Sequence, residues 1–155
     1  MRKNTIITLI LIILVLGWMY LIYYLSDQTG LLALPFLQKL KLLPQISDKK
    51  LAGDMEYVAR KSAHMAEYAI LFILTYLANS RLFFRQGEKK LAKALVLSLF
   101  ISFAYAFSDE AHQFIVPGRD GRIVDIFIDT FGILLGQFLV LIGILIIPTK
   151  KNELI

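Results

Sequence analysis

The stretch TIITLILIILVLGWMYLIYYLS, residues 5–26, decides the class of protein to which this chain belongs. It holds 22 residues without a charge, between Lys3 and Asp27. A helix of about 20 apolar residues is long enough to cross the roughly 30 Å hydrocarbon core of a bilayer. The run is longer than the apolar core of a cleaved signal peptide, and it ends in several Trp and Tyr residues typical of a membrane interface. We therefore predict a retained transmembrane helix.

The composition of the whole chain agrees with a membrane protein. Of its 155 residues, 57% are hydrophobic and 19% are charged, which excludes intrinsic disorder. The apolar residues arrive in long runs, unlike those of an ordinary soluble domain. Because the chain has no cysteine, a disulfide framework, a thiolate zinc site and cysteine catalysis are excluded. The net charge of +5 can be read as loop charge, so we expect no nucleic-acid partner.

Four membrane spans are predicted, over residues 5–26, 60–80, 91–110 and 123–147. The expected fold is an all-α, multi-pass integral membrane four-helix bundle, formed by a single domain over residues 1–155. The short loop over residues 79–93 holds five basic residues, namely Arg81, Arg85, Lys89, Lys90 and Lys93. Dense basic charge in a short loop is typical of the cytoplasmic side, so we expect both termini in the cytoplasm.

The first outer loop, about 33 residues long, carries a short amphipathic segment. Phe36, Leu37, Leu40 and Leu43 fall near one helical face, over a length too short to span a membrane. We predict an interfacial helix in the headgroup region, with a helix packed on the bundle as the alternative. Ser47-Asp48 is a plausible N-cap, so the second long helix is expected to begin near residue 49.

Charged residues enter apolar context at three places, all on the predicted outer face. Arg60, His64 and Glu67 are spaced i, i+4 and i+7, and so form one stripe on a helix. Charged residues within membrane spans are costly, and they mark a functional site by default. The candidate catalytic residues are His64, Glu67, Asp109 and Asp129, and the candidate ligand-binding residues are Arg60, Lys61, Glu110, Gln113, Arg119, Arg122 and Asp125.

Several of these residues also have a purely structural interpretation. Asp125 can complement the dipole in the first turn of its helix, and Lys61 can extend its ammonium to the lipid headgroups. Asp109 and Glu110 lie near a helix C-terminus, where negative charge is unfavourable, so they need a cationic partner. Arginine is well suited to phosphate, because its guanidinium makes two parallel hydrogen bonds.

No cofactor is predicted, although a divalent metal is an alternative. The two histidines with Glu67, Asp109 and Asp129 could supply nitrogen and oxygen ligands to Zn²⁺ or Mn²⁺. The basic residues nearby argue against this alternative, and we assign no metal ligands.

Three segments together resemble the VanZ-like family. They read RKSAHMAEY over residues 60–68, SDEAHQFIVPGR over 108–119 and DIFIDTFGILLG over 125–136. The resemblance implies a multi-pass protein of the bacterial cell membrane. It also implies a set of signature residues: Arg60, Lys61, His64, Glu67, Asp109, Glu110, Gln113, Arg119, Asp125 and Asp129. The family's namesake is associated with low-level resistance to the glycopeptide teicoplanin. The resemblance therefore indicates a biological context but no specific chemical reaction.

Three functions remain open from the sequence. The first is binding of an anionic lipid or a lipid-linked cell-wall intermediate at the outer leaflet. The second is a membrane-embedded hydrolase or transferase that acts on a lipid phosphate, with His64 or Glu67 as general base. The third is a small transporter, which would need a homodimer because four helices leave little room for alternating access. The small-xxx-small step from Gly132 to Gly136 suits a helix contact of that kind.

Overall fold

A computed structural model describes residues 2–27, 33–44, 46–83, 90–116 and 122–146. Its elements, in chain order, are α1 (Arg2–Asp27), α2 (Ala33–Lys39), α3 (Lys49–Leu82), α4 (Lys90–Gln113) and α5 (Ile123–Ile146). No β-strand occurs within these ranges. The predicted all-helical class is therefore confirmed for the described residues.

Three helices are long and apolar enough to cross a membrane: Thr5–Asp27 in α1, Leu91–Gln113 in α4 and Ile123–Ile146, which is α5. Each coincides with a predicted span. The remaining predicted span, the second in chain order, covers residues 60–80. It falls within α3, where charged residues interrupt the apolar sequence. Its membrane crossing, and with it the four-helix membrane bundle, stays a prediction.

Helix α3 begins where the sequence indicated. The side chain of Asp48 accepts hydrogen bonds from the backbone N–H groups of Lys50 and Leu51, at 2.8 and 3.0 Å, so Asp48 is the N-cap. These bonds satisfy two of the donors that a helix start leaves unpaired. With 34 residues, α3 extends about 51 Å at 1.5 Å per residue, well beyond the hydrocarbon thickness of a bilayer.

Helix α2 is shorter than the predicted amphipathic segment. It ends at Lys39, and Lys41 follows with a φ of 57°, in the left-handed region that interrupts a right-handed helix. Leu43 therefore lies beyond the helix rather than on its face. α2 contacts α3, while the Phe36 side chain remains 60% exposed. Its location among lipid headgroups stays a prediction.

Helix α3 is the centre of the fold, because it contacts each of the other four helices. The buried apolar core lies around its middle, where Tyr68, Leu71 and Phe72 meet Ile22 of α1 and Ile133 of α5. Burial of large side chains such as these contributes about 1.5–3 kcal/mol each relative to exposure. The core thus fixes the positions of α1 and α5 relative to α3.

Helix α5 approaches α3 closely at two glycines. A Cβ built on Gly132 would lie 2.2 Å from the Met65 carbonyl oxygen, and one on Gly136 would lie 2.5 Å from the Ala69 carbonyl oxygen. The glycines thus allow the two backbones to touch, as small residues do between membrane helices. The small-xxx-small step therefore forms a helix contact within the chain, because both glycines are buried against α3. A homodimer stays a prediction.

Polar side chains join α3 to α4 within the apolar interior. The side-chain amide of Asn79 donates to Ser98 Oγ at 2.9 Å, and the hydroxyls of Thr75 and Ser102 lie 3.4 Å apart. All four residues are buried. Such bonds between membrane helices contribute on average about 0.6 kcal/mol each, so they align the helices more than they stabilise them.

The surfaces of α4 and α5 that face away from the other helices are apolar and aromatic. Exposed residues on these faces include Phe100, Phe107, Phe127, Phe131 and Leu145, which is 84% exposed. An exposed apolar surface of this extent is unfavourable in water. It is the surface that a lipid environment covers.

Candidate functional site

Five carboxylates from three helices lie near one another, and we call them the acidic cluster. They are Glu67 of α3, Asp109 and Glu110 of α4, and Asp125 and Asp129 of α5. Four are buried: their exposed fractions are 3% for Asp109, 1% for Glu110, 7% for Asp125 and 0% for Asp129. Buried charges of one sign are costly unless other groups compensate them, so the contacts of each carboxylate are informative.

His64 lies between two members of the acidic cluster. Its Nδ1 is 3.7 Å from Asp129 Oδ1 and 4.0 Å from Glu67 Oε2. The first contact joins α3 to α5, while the second lies within one turn of α3. A carboxylate beside an imidazole nitrogen can orient the ring. The two contacts place His64 at the junction of α3 and α5.

Lys61 compensates Asp125. Its ammonium forms an ion pair and a hydrogen bond with Asp125 Oδ1, and both side chains are largely buried. The interpretation of Lys61 as a residue that reaches the lipid headgroups is thereby corrected, because a carboxylate on a neighbouring helix holds its ammonium. Asp125 therefore has a cationic partner in addition to its position in the first turn of α5.

The two carboxylates at the end of α4 each accept a hydrogen bond from a neutral donor. Glu110 Oε2 accepts a hydrogen bond from the backbone N–H of Arg122 at 3.1 Å, and Asp109 Oδ2 accepts one from the Gln113 side chain at 3.2 Å. The first bond fixes the start of α5 against the end of α4. Arg119, which we predicted as a phosphate ligand, lies outside the described residues.

His112 takes part in a separate contact between α4 and α1. Its Nε2 lies 3.7 Å from Asp27 Oδ1, and its ring is tilted against the ring of Tyr23 with the centroids 4.8 Å apart. The contact fastens the last turn of α1. It places His112 with α1, whereas Asp109 and Gln113 lie with the acidic cluster.

Helix α1 supports the site with residues that the sequence did not single out. The indole N–H of Trp18 donates a hydrogen bond to the backbone carbonyl oxygen of Glu67 at 2.9 Å. The hydroxyl of Tyr105 donates one to the backbone carbonyl oxygen of Met19 at 2.5 Å. Ser26 is only 3% exposed and faces a cavity beside His64. The aromatic residues at the end of the first span were the only signal for these contacts.

A cavity of about 1070 Å³ lies between the end of α1, the α2 region and α3. Its walls are mostly apolar, and they include Leu25, Phe36, Leu37, Leu43 and Val58. Arg60, His64 and Glu67, the stripe predicted from the sequence, all line it, together with Asp54 and Ser26. An apolar volume with a few convergent polar groups is typical of a ligand site.

Several buried oxygens of the acidic cluster accept no hydrogen bond from the part of the chain that the structure describes. They are both carboxylate oxygens of Asp129, Asp109 Oδ1 and Glu110 Oε1, and the Tyr68 hydroxyl beside them is in the same state. Such oxygens suit protons, water or a donor group of a ligand. Within the described ranges, no three His, Asp or Glu side chains are arranged to hold a metal ion.

Comparison with known proteins gives one match. A family model described as VanZ/LLP1 matches residues 11–146, which covers nearly the whole chain. No curated protein and no solved structure matches. The matched range includes most of α1, the whole of α2, α3, α4 and α5, and every residue of the acidic cluster.

Proposed function

The chain belongs to the VanZ/LLP1 family, and we propose that it binds an anionic or lipid-linked molecule of the bacterial cell envelope. The observation that carries this proposal is the apolar cavity lined at its polar side by Arg60, His64 and Glu67. At about 1070 Å³, the cavity is slightly larger than the roughly 300–1,000 Å³ of small-molecule pockets. An acyl or prenyl chain matches its apolar walls.

The phosphate of such a molecule binds at Arg60. This residue is exposed, lines the cavity, and makes no ion pair among the residues that the structure describes. A guanidinium can make two charge-assisted hydrogen bonds to one phosphate. Arg122, at the start of α5, supplies a second cation near the acidic cluster and is a further candidate for phosphate contact.

Retention of a lipid by the purified protein tests this proposal. We expect native mass spectrometry of the chain in a mild detergent to detect a bound phosphate-bearing lipid. Arg60→Gln should reduce the retained fraction roughly tenfold or more, because hydrogen bonds to charged groups contribute about 1.5–3 kcal/mol. Arg81→Gln, at the opposite end of α3, is the matched control and should change nothing. Absence of any phosphate-bearing lipid would refute the proposal.

In the proposed orientation both termini lie in the cytoplasm and the cavity lies at the outer face. Helix α3 then crosses the membrane as well, in addition to α1, α4 and α5. The chain has no cysteine, so engineered cysteines can report it without background. A membrane-impermeant thiol reagent should label Ser47→Cys, before α3, on intact cells. It should label Leu82→Cys, at the other end of α3, only after the cells are opened. The reverse pattern would place the cavity in the cytoplasmic half.

We extend the proposal to glycopeptide susceptibility, which is the context of the family's namesake. If the bound molecule is a cell-wall intermediate, expression of this chain should raise the teicoplanin concentration that a susceptible bacterium survives. Arg60→Gln should cancel the increase while the protein is still present in the membrane. Unchanged susceptibility with confirmed lipid binding would separate this chain from that phenotype.

The contact between His64 and Asp129 favours hydrolysis or transfer of a lipid phosphate as a second candidate function. With Nδ1 held beside the buried carboxylate, the other ring nitrogen can accept a proton from an attacking water or alcohol. The attacking oxygen then bonds to phosphorus as the bond between phosphorus and the leaving oxygen breaks, and the leaving oxygen takes the proton from His64 to become an alcohol. Release of labelled phosphate that disappears in His64→Ala would support this function. If the unaltered chain binds the lipid but releases no labelled phosphate, the protein binds the lipid without hydrolysing or transferring its phosphate.

A further inference from the structure

Among the residues that the structure describes, carboxylates outnumber cations around the polar side of the cavity. Glu67 and Asp54 line it directly, and the four buried members of the acidic cluster lie behind Glu67 and His64. Lys61, a cation beside the cluster, is paired with Asp125. A ligand that presents only phosphate to this region offers no N–H donor to these carboxylates.

The buried oxygens add an independent observation. Asp129 is 0% exposed, and neither of its carboxylate oxygens accepts a hydrogen bond within the described ranges. Such oxygens suit a donor group of a ligand. The region therefore favours a group that is rich in N–H donors.

We infer that the molecule bound in the cavity carries a primary ammonium close to its phosphate. This inference rests on the proposed function and specifies the ligand class as a zwitterionic, amine-bearing phospholipid. The ammonium donates hydrogen bonds to Glu67 while the phosphate binds Arg60, and both of these residues line the cavity. An ammonium supplies three donors, which suits a site rich in acceptors.

The spacing of the two binding groups fits such a headgroup. Arg60 and Glu67 lie seven residues apart on α3 and both line the cavity. Seven residues correspond to about 10.5 Å along a helix axis. Because both side chains line the same cavity, one headgroup with a phosphate and an amine separated by two carbons can contact the two of them.

Three headgroups distinguish this inference from simple phosphate binding. Phosphatidylethanolamine has both a phosphate and a primary ammonium. Phosphatidylcholine has a quaternary ammonium without N–H donors, and phosphatidylglycerol has a phosphate and hydroxyl groups but no amine. The inferred site should bind the first of these about tenfold more tightly than either of the others, a factor that corresponds to about 1.4 kcal/mol.

The single tryptophan of the chain reports binding at this place. Trp18 donates to the backbone of Glu67, so its fluorescence responds to a ligand beside that residue. The detergent-purified full chain is titrated with short-chain forms of the three lipids. Glu67→Gln should lower the affinity for phosphatidylethanolamine about tenfold and leave that for phosphatidylglycerol unchanged. The matched control Glu56→Gln, on α3 but away from the cavity lining, should retain the preference.

The outcomes separate the inference from the proposed function. Equal affinity for all three lipids, or a preference that survives in Glu67→Gln, would overturn the ammonium site while lipid binding stands. Absence of binding by all three lipids, together with no lipid retained after purification, would overturn the proposed function itself. The headgroup series on the unaltered chain decides the inference even if Glu67→Gln does not fold.

Discussion

Replacing Gly132 by alanine tests whether the close approach of α5 to α3 holds the candidate site together. Gly132 lies one turn after Asp129, and it faces Met65, which directly follows His64. The added Cβ would lie 2.2 Å from the Met65 carbonyl oxygen, 2.9 Å from its carbonyl carbon and 3.0 Å from its Cα. All three are backbone atoms of a helix, so none can rotate away.

The size of the effect follows from these distances. Ordinary van der Waals contact begins at 3.4 Å, so the two helices must separate by about 1.2 Å. Overpacking of this kind costs about 1–3 kcal/mol. Alanine is also a better helix former than glycine, by about 0.5–1 kcal/mol. Gly143→Ala on the same helix gains only this second contribution, because nothing lies within 4 Å of its added Cβ.

The measurement is the free energy of unfolding of each variant in detergent, from denaturant titration followed by circular dichroism. We expect Gly132→Ala to be less stable than Gly143→Ala by about 1–3 kcal/mol. We also expect weaker lipid retention, because separation of the helices lengthens the His64–Asp129 contact beyond 3.7 Å. Equal stability of the two variants would refute the close packing on which this reasoning rests.

Further predictions concern single contacts, and all are measured as changes in the free energy of unfolding. Lys61→Met should destabilise the protein by about 3 kcal/mol, because it leaves Asp125 buried without its cation, and adding Asp125→Asn should recover most of the loss. A double variant as unstable as Lys61→Met would contradict this pairing. Ser98→Ala should cost about 1 kcal/mol because the Asn79 amide loses its acceptor; an unchanged stability would show that water replaces it. Asp48→Ala should cost about 1 kcal/mol through loss of the N-cap, and a change under about 0.3 kcal/mol would show that the cap is dispensable.

The parts of the fold that the sequence predicts are those set by local chemistry. An uncharged run of 22 residues can satisfy its backbone in lipid only as a helix, and α1 covers it. Asp48 could be identified as a cap because capping depends on a side chain and the two or three residues that follow it. The stripe of Arg60, His64 and Glu67 follows from helical periodicity alone.

The contacts that the sequence does not predict are those between distant segments. Lys61 and Asp125 are 64 positions apart, and no local rule distinguishes a paired lysine from one that reaches the headgroups. Helix α1 is apolar on every side, so its periodicity does not identify the face that packs inward. For that reason Ser26 and Trp18 were not expected at the site. The sequence also does not predict the length of α2. The helix is interrupted near Lys41, which has a left-handed φ, and an amphipathic pattern does not indicate such a backbone conformation.

The attachment of α1 has a consequence for how this chain tolerates mutation. Described contacts that hold α1 include those of Trp18, Met19, Ile22 and Ser26 in its second half, whereas Ile6, Leu9, Ile10 and Ile13 are each more than half exposed. A library that exchanges these early residues for other aliphatic ones should therefore yield mostly functional proteins. The same library placed on the second half should yield few. One helix thus combines a freely variable anchor with a constrained docking segment.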